Sequence, residues 1–249
     1  MVEEYISLCQ EMGLTSRLVL DLPQRQWTRQ DLALVDGVGI LSLGPVRLST
    51  WRLAVKRAID VVGAGVGLIL FAAAYVWYAR RVREDSPGPV LFSQVRVGRH
   101  GRYFALYKFR TMYVNAEARQ AALMAANEMQ GAMFKVRDDP RVTRLGRWMR
   151  ARHLDELPQF WNVLRGDMSL VGTRPPTLEE VECYRPDHLR RLSMKPGITG
   201  LWQLAGNQEI RDFEEIVRLD CQYIDSWSIW LDVRILIRTV LKVLSRTGW

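Results

Sequence analysis

The longest apolar run, VVGAGVGLILFAAAYVWYA from Val61 to Ala79, contains no charged residue. As a helix rising about 1.5 Å per residue it would extend roughly 28 Å, enough to cross a bilayer core. Lys56 and Arg57 precede the run, and Arg80, Arg81 and Arg83 follow it. Basic residues favour the cytoplasmic side, so a plain crossing leaves one cluster on the wrong face. A helix that enters and returns to the same face satisfies both. The pattern predicts a membrane helix over about 58–83, against the alternative of a buried helix in a soluble domain. No other stretch is long and uncharged enough to span.

A second periodicity lies near the C-terminus. In WSIWLDVRILIRTVLKVLSRTGW, Arg234, Arg238, Lys242 and Arg246 recur every fourth residue beside a broad apolar face. Two readings stand level: an amphipathic helix lying on the membrane surface, or a helix packed on the core. Between these segments, SPGPVLFSQVRVGRHGRYFALYKFRTM alternates apolar and polar positions around a Gly-rich turn at 98–101 and predicts a β-hairpin. Residues 113–134, rich in Ala, Met and Glu, read as helical or loosely ordered. Arg141, Arg144, Arg147 and Arg150 recur every three residues and predict one shared helical flank. Residues 5–22 read as a helix, Gly13 and a strand, and 36–44 as a further short strand. The fold class is therefore α+β and mainly helical: a membrane-inserted helix, a small hairpin, amphipathic surface helices and an N-terminal α/β piece.

With 249 residues and 48% hydrophobic content the chain can bury a substantial core, so global disorder is excluded. The net charge of +8 favours a polyanionic partner: nucleic acid, an anionic membrane surface or a nucleotide. The uncharged run argues against nucleic acid. Nine tryptophans fit a membrane interface. Three widely spaced cysteines and three histidines exclude a disulfide framework and a histidine-rich metal centre, and the acidic start MVEEYISLCQEMG predicts no secretory signal peptide.

The densest charge surrounds RHLDELPQ at 152–159, where Asp155 and Glu156 stand side by side. On spacing alone Asp155 reads as a helix N-cap, with Glu156 and Pro158 in the first turn. The functional reading starts from the arginines: Arg150, Arg152 and Arg165 nearby, then Arg174 in GTRPP and Lys195 in KPGITG. Arginine clusters hold phosphates. Two acids among such cations suggest a hard-cation site for Mg²⁺, which takes carboxylate and phosphate oxygens. A carboxylate kept ionised by positive neighbours can also act as a nucleophile. No P-loop or dinucleotide-binding motif is present.

These blocks resemble the bacterial sugar transferases, monotopic phosphoglycosyl transferases that start polysaccharide assembly on polyprenyl phosphate. The resemblance covers about residues 50–249 and rests on KRAID, the hairpin segment through KFRTM, DPRVTRLGRWMR, LDELPQFWNVLRGDMSLVGTRPP, KPGITGLWQL and YIDSWSIWLDVRIL. It implies transfer of a sugar phosphate from a UDP-sugar, UDP-glucose or UDP-galactose, to undecaprenyl phosphate with release of UMP. It further implies Asp155 as nucleophile and Mg²⁺ ligand, Glu156 as its partner, and phosphate or substrate contacts from Arg150, Arg174, Lys108, Arg110 and Lys195. The implied setting is the bacterial inner membrane with the site facing the cytoplasm. A homo-oligomer is left open. The resemblance favours a re-entrant helix over a spanning one. Members commonly break that helix with Ser-Pro, whereas the corresponding positions here are Ala72-Ala73. Residues 1–45 resemble the end of the Rossmann-like domain of larger members, giving a partial remnant before a catalytic core at 46–249.

Overall fold

The computed structural model describes residues 11–12, 28–35, 38–45, 49–136, 138–206 and 210–245. The chain divides into two compact units, 1–48 and 49–249. In the first, β1 (Thr28–Val35) pairs antiparallel with β2 (Val38–Pro45). The strand expected at 36–44 is β2. Apart from 11–12, the elements expected at 5–22 lie outside the described residues.

The second unit opens with α1, one helix over Thr50–Asp85 that continues through Ala72-Ala73. No proline interrupts it, and Ser86-Pro87 ends it. Its inner face carries the buried residues Lys56, Asp60, Ala64, Gly67, Ala74 and Val82. Val62, Val66, Ile69, Leu70, Val76 and Trp77 stand exposed on the outer side. The hairpin forms as predicted from β3 (Leu91–Val97) and β4 (Tyr103–Phe109). Residues 113–136 hold turns and a 3₁₀ helix at Ala121–Ala126, without an α-helix.

Then come α2 (Arg144–Arg150), α3 (Gln159–Arg165), β5 (Ser169–Val171), α4 (Leu178–Glu182), β6 (Gly197–Thr199), α5 (Leu201–Gly206), α6 (Phe213–Asp225) and α7 (Ile229–Leu244). Strands β5 and β6 form a short parallel ladder. Arg141 falls outside the predicted helical flank: Thr143 caps α2, and Arg141 is buried against Asp139 at 2.7 Å.

Helix α1 is fastened to the body at both ends. Lys56 Nζ donates to Asp232 Oδ2 at 2.6 Å and to the Val171 carbonyl at 3.0 Å. Tyr223 and Trp227 donate to the same Asp232 carboxylate at 2.7 and 3.2 Å. Asp60 accepts from Ser169 Oγ and the Leu170 amide, both at 2.9 Å. Arg57 donates to the carbonyls of Val163 and Leu164 in the last turn of α3, where the carbonyls run out of intrahelical donors. At the far end, Asp85 accepts from the Leu145 amide at 3.0 Å, and Arg110 donates to the carbonyls of Ser86 and Pro87. Between these ties, the absence of a side chain at Gly67 lets the Phe160 ring lie against the helix.

Helix α7 packs on the core, as one reading of its pattern expected, and leaves an apolar face exposed. Asp232, Ile235 and Thr239 turn inward, while Trp230, Ile237, Leu241 and Leu244 form an exposed apolar face on the opposite side. Asp232 is the charge that Lys56 requires. Removing one partner of a buried pair strands the other at a cost of about 3–5 kcal/mol. Asp232→Ala is therefore expected to lower the thermal unfolding temperature of the detergent-solubilised protein sharply, whereas Arg234→Ala on the exposed flank leaves it nearly unchanged.

Candidate active site

The acid pair is placed by the end of β4. Just beyond that strand, the Thr111 carbonyl accepts from the Thr143 amide at 3.0 Å. Thr143 Oγ1 in turn accepts from the Gly146 amide at 3.0 Å and caps α2. A Cβ at position 146 would collide with the Thr111 carbonyl, so only glycine allows this approach. One turn later, Arg150 Nε donates to Thr111 Oγ1 at 2.9 Å. The chain then reverses through His153, whose φ of 55° is left-handed, into a 3₁₀ turn at Leu154–Glu156.

Leu154 and Leu157 pack against Ala74, Phe109 and Met149, seating the turn on the inner face of α1. This buries Asp155 to 7% exposure. Pro158, rather than Asp155, occupies the position before α3, which corrects the N-cap reading. The leucines on both sides draw the turn inward and stop Asp155 from serving a helix end.

Alternation along β4 puts Phe109 in the core and Lys108 toward the acids. Lys108 Nζ meets Glu156 Oε1 at 2.9 Å, each side chain retaining 30% exposure. The position of Lys108 is fixed by Asn162 of α3, which accepts from the Tyr107 amide at 3.1 Å and donates to the Ala105 carbonyl at 2.7 Å. Thr111, Gly146, His153 and Asn162 are thus part of the site's construction. Sequence reasoning missed them because a small or neutral residue in a charged block carries no signal of its own.

Burial pushes the Asp155 carboxyl above its ordinary range, against the pull of Lys108, and the charge of Glu156 adds to the rise. Glu156 goes the other way. Burial alone would raise it, but Lys108, with Gln159 as a further hydrogen-bond partner, holds it below the usual value. Burial also lowers Arg150, against the pull of Asp155 and Asp139. The two carboxyls are thereby separated in function: Glu156 is fixed as an ion-paired anion, and Asp155 is the more basic group.

Of the residues expected to contact phosphate, Lys108 and Arg150 join the acid pair. Arg110 is buried at the end of α1, with its guanidinium on Ser86 and Pro87. Arg174 makes a bidentate pair with Glu180 at 2.7 and 3.1 Å, beside Arg96. Lys195 sits near Gly166 at the end of α3, where burial and then Arg57 lower it. Arg152 turns away from the acids onto the Trp148 ring, and Arg165 pairs with Asp167 at 3.4 Å.

A divalent cation fits the turn chemically. Among the described residues no cation lies at ion-pair distance from Asp155, whose oxygens are hard donors beside a second anion. Mg²⁺ is commonly held by one or two carboxylates together with substrate phosphates, so a single protein carboxylate suffices. The one described cluster of three metal-type side chains, Asp187, His188 and Glu214, lies elsewhere, and Arg185 already bridges its two acids.

A family model described as bacterial sugar transferase matches residues 51–246. The chain belongs to the bacterial sugar transferase family. It is 53% identical over 197 residues to galactosyl transferase CpsE of Streptococcus agalactiae, covering 79% of this chain and 44% of that one. Undecaprenyl-phosphate galactose phosphotransferase of Salmonella typhimurium is 42% identical over 199 residues, 78% of this chain and 41% of its own length. The UDP-glucose:undecaprenyl-phosphate glucose-1-phosphate transferase of Caulobacter vibrioides is 40% identical over 197 residues, 76% of this chain and 70% of that one. The chain thus spans about two fifths of the first two relatives. This family member's matched region contains the whole acid-pair turn and α1 from Trp51 onward.

The electrostatics carry a sign that can be checked. Glu156→Gln removes the repelling charge, so the Asp155 titration, followed by carboxyl NMR, is expected to move to lower pH, while Lys108→Met moves it higher. A carboxyl raised by folding contributes most at low pH and loses that contribution as pH rises through its folded value. Ionising Asp155 therefore weakens the fold, and Asp155→Asn is expected to raise the unfolding temperature increasingly as pH rises.

Proposed function

We propose that this chain transfers a hexose phosphate from a UDP-sugar to polyprenyl phosphate through a covalent intermediate on Asp155. The observation that carries this reading is the buried acid pair, in which Lys108 ties down Glu156 and leaves the more basic Asp155 as nucleophile. An Asp155 oxygen attacks the phosphorus that bears the sugar, and the P–O bond to the leaving nucleotide breaks, releasing UMP. An oxygen of the lipid phosphate then attacks the same phosphorus, and Asp155 departs as a carboxylate. Each displacement exchanges one P–O bond for another, so the difficult transfer is split into two balanced steps. Lys108 and the free N–H groups of Arg150 face the charge that grows on the phosphoryl oxygens. Glu156 is the hydrogen-bonding and proton-handling partner. Mg²⁺, held by Asp155 and the diphosphate, would neutralise charge on the leaving group.

The names of the relatives support UDP-galactose or UDP-glucose as donor and undecaprenyl phosphate as acceptor. The exposed face of α1 supports insertion into the cytoplasmic leaflet of the inner membrane. Both ends of α1 are bound to one body, which favours a helix whose two basic flanks stay on the cytoplasmic side. The product would be the first lipid-linked sugar of an exopolysaccharide or related glycan.

Release of UMP from a panel of UDP-sugars with undecaprenyl phosphate is expected to peak with UDP-galactose or UDP-glucose and to require a divalent cation. Radiolabelled donor without acceptor should leave sugar phosphate covalently on the wild-type chain and none on Asp155→Asn, which should also be inactive. Near-normal turnover by that variant would sink the covalent route.

A further inference from the structure

Two local units of the same design meet where α1 leaves its apolar stretch. In each, an arginine four residues after a tryptophan folds back over it: Arg81 over Trp77 and Arg152 over Trp148. The Arg81 guanidinium lies 5.6 Å from the Trp77 ring and donates to the Trp77 carbonyl at 2.9 Å. The Arg152 guanidinium lies 4.2 Å from the Trp148 ring and donates to the Trp148 carbonyl at 3.3 Å. Tyr78 joins the units, with its ring 5.4 Å from Trp148 and 5.9 Å from the Arg81 guanidinium. Both arginines are exposed, and among the described residues neither has a carboxylate at ion-pair distance. Each donates one hydrogen bond to its own carbonyl, and its remaining N–H groups are available to a ligand.

We infer that Trp77, Tyr78, Arg81, Trp148 and Arg152 form a binding site for the headgroup of an anionic phospholipid. The inference rests on the membrane placement proposed above. The ligand must carry both a phosphate and alkyl chains, because Arg81 ends the exposed apolar face that runs through Ile69, Leu70, Val76 and Trp77. Arginine provides paired donors for a phosphodiester, and tryptophan suits the depth at which headgroups lie. Stacking on the rings holds the guanidiniums in place before binding and so lessens the ordering cost. The site is separate from the catalytic phosphates: Arg150 reaches Thr111 beside Asp155, while Arg152, two residues later, is turned onto Trp148. A headgroup bound here would fix the height of the active-site turn relative to the leaflet.

The test compares flotation of the full chain with phosphatidylcholine vesicles that contain or lack phosphatidylglycerol. Phosphatidylglycerol should tighten wild-type binding, and Arg81→Gln with Arg152→Gln should remove roughly tenfold or more of that gain. Arg144→Gln with Arg147→Gln, an equal loss of charge on α2, should remove much less. Transfer in phospholipid-free detergent should be unchanged in the first variant. Equal losses in the two variants, or no loss in the first, would overturn the site. So would a raised KM for undecaprenyl phosphate in detergent, which would assign these residues to the acceptor. A wild-type chain that floats with neither vesicle overturns the membrane placement and the site together. A wild-type chain that floats equally with both overturns the site alone.

Discussion

Two adjacent carboxyls set into a protein repel each other once charged, and the cation fixed beside this pair is Lys108. It binds Glu156 directly and acts on Asp155 through space, so one placed charge gives the two acids opposite tendencies. Much of the surrounding structure serves to hold Lys108 and the turn in register. Asn162 fixes the backbone of β4, Thr111 receives both the start and the end of α2, and Gly146 allows the approach. The strongest local forces in the site are thus electrostatic, but backbone hydrogen bonds and one absent side chain set their geometry.

The same core links the acid pair to the long apolar helix. Leu154 and Leu157, on either side of the acids, pack with Ala74 and Phe109, so the acid pair rests on the inner face of the helix whose outer face is apolar and exposed. A shift of α1 would be felt directly at Asp155. The buried pair of Lys56 with Asp232 joins α7 to the same helix, placing two helices with exposed apolar faces on one body. Burying a charge pair gives little net stability. Here it specifies which face of each helix turns inward, because only one rotation of α7 brings Asp232 to Lys56.

Much of this was legible in the residues. The hairpin followed from alternation, α1 from its uncharged run, and the importance of RHLDELPQ from charge density and family resemblance. Local reasoning gave the wrong role to Asp155 as a cap, because a cap signal depends on neighbours in sequence, whereas the pull on Leu154 and Leu157 comes from residues far away in the chain. It also grouped Arg141 with the helical arginines, since a three-residue spacing does not reveal that Thr143 starts the helix. The arginines and lysines expected at phosphate were separated by the fold into distinct settings. Arg110 closes the end of α1, Arg174 pairs with Glu180, and only Lys108 and Arg150 reach the acids.

By itself the sequence determined the kinds of chemistry present: an apolar helix between basic flanks, an acid pair among cations, and the order of blocks that marks the family. Those properties are local, being composition, period and spacing. Only the tertiary structure decided which cation faces which carboxylate, why Asp155 is shifted up and Glu156 down, and which face of α1 and α7 is left outward. Such properties depend on burial and on distances between residues 48 and 176 positions apart, and no local pattern encodes them.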